Sequence, residues 1–133
     1  MDTRWSRWKV WILFLLVVVG TAMVMIPRAE GAGVDLYTSG DYSGALASFT
    51  AELADVSGSA QAPVLNNIGT CYVALGQSEK AAEYYGKAVS ADPGYGRGWI
   101  NLGVVQEKLG RPDEALASYG KVTGDPGLAA EAA

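Results

Sequence analysis

One arrangement of small and aromatic residues occurs three times in this chain. A glycine is followed by a second glycine seven residues on, an alanine five further and an aromatic four beyond that. The copies are Gly33, Gly40, Ala45 and Phe49; then Gly69, Gly76, Ala81 and Tyr85; then Gly103, Gly110, Ala115 and Tyr119. The first two copies lie 36 residues apart and the last two 34. A fixed period of this size marks a stacked array of helix–turn–helix units, because one such unit cannot bury its apolar face alone. The spacing suits two helices joined by a tight turn and does not suit strands, so the predicted fold class is all-α.

The turn chemistry agrees. Gly76 and Gly110 follow Leu75 and Leu109 and sit where the chain past a helix end needs a positive φ. Asp41 is placed to cap the helix that follows, and Pro112 to occupy a first helical position. Gly69 and Gly103 lie inside apolar helices, where glycine costs about 1 kcal/mol against alanine. A close helix contact explains them, with Ala81 and Ala115 the small residues expected to face them. Paired helices are predicted near 32–39 and 42–54, 62–75 and 78–91, and 95–109 and 112–123. The segment 55–60 is expected to be a loop that absorbs the longer first interval, and Asp92, Pro93 and Gly94 the next turn.

These residues resemble the tetratricopeptide repeat. Leu65, Ile68, Gly69, Tyr72, Gly76, Ala81, Tyr85, Ala88 and Pro93 fill its slots in the second copy, with Leu65 in place of tryptophan. The third copy has Trp99, Leu102, Gly103, Gly110, Ala115 and Tyr119, but Gln106 stands in the tyrosine slot and Pro126 comes one residue early. The first copy is degenerate, with Ala29 and Ala32 in large apolar slots. The resemblance implies an α-solenoid of about three repeats, at 29–60, 61–94 and 95–127, with a short tail at 128–133. It also implies a protein- or peptide-binding scaffold whose first helices line a groove. By that resemblance the groove residues are Val34, Tyr37, Asn66, Thr70, Val73, Arg97, Val104 and Lys108, and Asn67 and Asn101 match an asparagine that binds peptide backbone. Some members of that family clamp a C-terminal carboxylate with lysines and asparagines; Glu30, Asn66 and Ile100 occupy the three equivalent slots for one of those lysines, so that clamp is not implied.

The N-terminus reads differently. Residues 10–26, VWILFLLVVVGTAMVMI, carry no charge and as a helix would span about 25 Å, near the short limit for crossing a bilayer. Trp5, Trp8 and Trp11 gather at one end, and Arg4, Arg7 and Lys9 precede the run. The expectation is a single-pass anchor within residues 1–28, in lipid through residues 8–26. The basic N-terminus would be cytoplasmic and the repeats periplasmic or extracellular. The competing expectation is a signal peptide cleaved after Ala22, giving a secreted protein.

Catalysis is not expected. The chain has no histidine and Cys71 is its single cysteine, so no Cys/His zinc site or internal disulfide can form. Cys71 is expected to be a buried small hydrophobe. Carboxylates such as Asp113 with Glu114, and Glu79 with Glu83, have the spacing of solvated helix faces. Gly94-Tyr95-Gly96-Arg97-Gly98 lacks the lysine and hydroxyl of a phosphate-binding loop. No cofactor or metal is implied. Residues 29–133 hold six basic and thirteen acidic residues, a net of −7, which argues against nucleic-acid binding. The function expected is a membrane-anchored scaffold that binds or helps assemble envelope or membrane proteins. The alternative is a small structural subunit of a membrane complex, held mainly by its spanning helix, in which Gly20, Thr21 and Ala22 would allow close helix packing.

Overall fold

The computed structural model describes residues 31–122, which belong to one compact unit beginning at Gly31. Six α-helices follow in order: α1 (Ala32–Thr38), α2 (Tyr42–Leu53), α3 (Gln61–Ala74), α4 (Ser78–Ala91), α5 (Gly96–Lys108) and α6 (Pro112–Tyr119). There is no strand among the described residues. Each helix packs on its neighbours in sequence, and α3 also meets α5, giving the stacked pairs expected from the repeat. Two boundaries differ from expectation. The 55–60 segment contains a single 3₁₀ turn (Gly58–Ala60), and α6 stops at Tyr119 rather than reaching 123. The proposed anchor at 10–26 and the tail at 128–133 lie outside the described residues. Among the described residues no helix is long and apolar enough to cross a membrane.

The three intra-repeat turns share one construction. Gly40, Gly76 and Gly110 have φ of 88°, 75° and 73°, a conformation that costs a side-chain-bearing residue. Each turn is closed by two backbone bonds. In the second repeat Gly76 N–H donates to the Val73 carbonyl at 3.0 Å and Gln77 N–H to that of Tyr72 at 2.8 Å. The same pair recurs from Gly40 and Asp41, and from Gly110 and Arg111. These satisfy carbonyls that a helix end would leave unpaired. Asp41 adds its side chain, which accepts from Gly44 N–H at 2.8 Å, and Pro112 opens α6. Between repeats, Asp92 Oδ1 accepts from Gly94 N–H and the Pro93 carbonyl accepts from the Trp99 indole, both at 2.9 Å.

The core lies between repeats. Ala45 and Phe49 of α2 pack with Val64, Ile68 and Cys71 of α3 in one cluster. Ala81, Tyr85 and Val89 of α4 pack with Leu102 and Val105 of α5 in the other. Neither cluster is complete within one repeat, so the array folds only as a stack.

The glycines within the first helices face the aromatics of the second helices, not the alanines. A Cβ on Gly33 would lie 2.6 Å from the Phe49 ring, and one on Gly69 would lie 2.7 Å from the Tyr85 ring; Gly103 is covered in the same way by Tyr119. The missing side chain lets a ring lie close against the helix backbone. Ala81 and Ala115 are buried, as a tight helix pair needs, but Tyr85 and Tyr119 provide the contact to the glycine.

Cys71 is fully buried, and burial pushes its thiol above the ordinary value. The neutral thiol therefore favours the folded state at all pH below the unfolded thiol pKa. That contribution declines as pH rises through the folded one. Native protein is expected to resist iodoacetamide at neutral pH and to react once urea exposes the thiolate-forming site. Rapid alkylation without denaturant, followed by mass spectrometry, would show that the α2–α3 interface opens readily.

Candidate functional site

The first helices of the three pairs surround a concavity of about 510 Å³. Val34 and Tyr37 come from α1, Asn66, Asn67 and Thr70 from α3, and Arg97, Ile100 and Asn101 from α5. Phe49 of α2 and Tyr85 of α4 complete the lining. Seven of the expected groove residues are thus brought together. Val73 is not among them, because it packs against the cluster around Ala81 and Leu102. Val104 and Lys108 also fall outside the lining and are exposed on α5. Val73 and Val104 lie seven residues, or two helical turns, beyond Asn66 and Arg97 on their helices, away from the lining contributed by those residues.

Phe49 and Tyr85 are the lining residues that sequence reasoning missed. Both are core aromatics at 4% exposure, yet their rings cross Gly33 and Gly69 and reach the groove. Ile100, which by the resemblance occupies a lysine slot, also lines the groove.

A polar chain runs through the site. Asn101 Nδ2 donates to Asn66 Oδ1 at 2.8 Å, bridging α5 and α3. Thr70 Oγ1 donates to the Asn66 carbonyl at 3.0 Å and lies 3.1 Å from the Tyr85 hydroxyl. Asn66 is only 4% exposed, so its first task is to hold Asn101 rather than to face solvent. No fully buried side-chain nitrogen or oxygen among the described residues lacks a partner. Burial, the dominant cause, raises the Tyr85 hydroxyl above its ordinary value despite the opposing Thr70 bond. Burial raises Tyr37 as well, aided by Tyr42. Both phenols are therefore neutral at physiological pH. Arg97 is the one charged residue in the lining, is exposed, and has no ion pair among the described residues.

Among the described residues no group of three or more histidine, cysteine, aspartate or glutamate side chains could hold a metal ion. What the site offers is an apolar floor, amides carrying both donors and acceptors, and one guanidinium. Such a surface suits a peptide, whose backbone alternates the same two functions.

A solenoid of helix pairs with this groove defines a helical-repeat binding protein. The tetratricopeptide repeat family model matches residues 66–132, and the chain belongs to that family. Its members are generally non-enzymatic adaptors for protein–protein interaction. Human general transcription factor 3C polypeptide 3 is 46% identical over 46 residues, which are 35% of this chain and 5% of that protein. The structure of PcrH in complex with the chaperone binding region of PopB superimposes with a TM-score of 0.71 at 21% identity, covering 85% of this chain and 95% of that one. The second repeat domain of Spaghetti (RPAP3), bound to the HSP90 peptide SRMEEVD, gives a TM-score of 0.63 at 22% identity, covering 70% and 84%. At those identities the likeness is one of fold.

Proposed function

We propose that this chain is a membrane-tethered interaction module that binds peptide segments of envelope or membrane proteins in its groove. The observation that carries the reading is the lining itself, with the Asn66–Asn101 amide pair and Asn67 beside Arg97, which makes no ion pair among the described residues, and apolar walls. Structures of the same fold bound to a peptide, or to the binding region of another protein, support a groove used in this way. The charge-free run at 10–26, with its preceding arginines, lysine and tryptophans, supports the tether. Tethering would raise the module's local concentration near membrane partners and so strengthen a weak groove.

The experiment has two readouts. Protease added to intact spheroplasts is expected to digest the repeats and leave a protected N-terminal fragment. Complete protection of the repeats would overturn the topology, and a mature N-terminus near Met23 would mean secretion. Proteins recovered with the detergent-solubilised chain are expected to be several and substoichiometric, and to be lost on Arg97→Ala with Asn67→Ala. A single stoichiometric complex that survives those changes would favour the structural-subunit role.

A further inference from the structure

The chemistry of the groove narrows what it can hold. Of the ten lining residues one is cationic, none is anionic, and the two phenols are neutral. Around it, the described residues carry ten carboxylates against six basic side chains, so the domain as a whole is acidic. The two effects act at different ranges. Screening confines the domain's repulsion to about 10 Å at 0.1 M salt, where it still opposes a run of acidic residues approaching the surface. Direct contact with the Arg97 guanidinium, which has no ion pair among the described residues, instead favours one carboxylate.

The geometry then fixes where that carboxylate comes from. Arg97 and Asn101 are four residues apart on α5, one turn and about 6 Å along the axis. Asn101 is anchored through Asn66, which fixes the plane of its amide and leaves its remaining donor and acceptor for a ligand. A peptide backbone paired with that amide lies one side-chain length from Arg97. An aspartate or glutamate side chain of the bound segment spans that gap, while the backbone continues past Asn67. Val34, Tyr37 and Phe49, at the α1 and α2 end, carry no charge and suit an apolar side chain of the same segment.

Resting on the peptide-groove reading above, we propose that the ligand is an internal, extended peptide segment with one acidic side chain held by Arg97 and an apolar residue near it. Asn66 acts as a positioning residue for Asn101.

The test selects from short random peptides displayed with both ends fused, using the full chain in mild detergent. Selected sequences are expected to share one aspartate or glutamate at a fixed distance from an aliphatic or aromatic residue, without further acidic residues. Made as acetylated, amidated peptides, they should lose about tenfold or more in affinity when that residue becomes its amide, and similarly with Arg97→Ala. Combining the two changes should add little. Arg97→Glu should redirect selection to lysine or arginine at the same place. Arg97 is exposed, and an unchanged helical spectrum would confirm that these variants fold. Binding that ignores both the acidic residue and Arg97, or that requires a free C-terminal carboxylate, overturns this inference and leaves peptide binding standing. Failure to select any peptide overturns the groove reading as well.

Discussion

Gly69→Ala is expected to destabilise the protein, whereas Gly86→Ala should stabilise it, although both glycines lie inside helices. Alanine is worth up to about 1 kcal/mol more than glycine at such positions. At Gly86 in α4 nothing lies within 4 Å of the added Cβ, so that gain should appear almost whole. At Gly69 the new methyl would sit 2.7 Å from the Tyr85 ring. Tyr85 cannot readily withdraw, because it is buried and its hydroxyl is held near Thr70. Overpacking of this kind costs about 1–3 kcal/mol and so outweighs the propensity gain. Gly103→Ala should lose less, because Tyr119 is only half-buried and has room to swing. Ala81→Leu, at a site with no exposure, should fall in the same destabilising range as Gly69→Ala. Urea unfolding followed by circular dichroism checks the order. A Gly69→Ala variant as stable as Gly86→Ala would mean that the ring contact does not constrain the helix pair.

The same glycines show how far the sequence could be read. The spacing locates all six helices to within a few residues, and the roles of Gly76, Gly110 and Asp41 are legible in the sequence because they depend on local backbone geometry. Which side chain covers Gly69 is a different kind of fact. It depends on the rotation of one helix against another, and alanine and tyrosine four residues apart on α4 share a face. The groove follows the same division. Val34, Tyr37, Asn66, Asn67, Thr70, Arg97 and Asn101 were recoverable from their places along the first helices. Phe49 and Tyr85 were not, because aromatics at repeat positions read as core. They are core, but by crossing a glycine they also form groove wall. Val104 and Lys108 follow Arg97 on its helix, yet they are exposed outside the lining, a difference that position along the helix alone does not reveal. Nor did the sequence show that Asn66 is spent on Asn101, which makes Asn67 and Arg97 the cleaner probes of binding.

A larger effect should come from the departure at Gln106. In the second repeat Tyr72 and Tyr84 pair with ring centroids 5.3 Å apart. The residues 34 positions later are Gln106 and Ser118, and Ser118 Oγ donates to Gln106 Oε1 at 2.7 Å. Both members of the aromatic pair have thus been replaced together by a hydrogen-bonded pair, with Gln106 Nε2 lying 3.4 Å from Glu114. Both polar residues are nearly buried, at 9% and 4% exposure. Ser118→Ala would strand the glutamine oxygen, and Gln106→Leu would strand the serine hydroxyl. Each is expected to cost about 1–3 kcal/mol, the penalty of a buried polar group left without its partner. The double variant removes both polar groups and should be close to neutral, since Glu114 is exposed and returns to water. A double-mutant cycle by urea unfolding should therefore give a coupling energy close to the sum of the two single losses, about 2 kcal/mol or more. Additive losses would show that the two side chains contribute separately and that the pair is not the third repeat's substitute for its missing tyrosines.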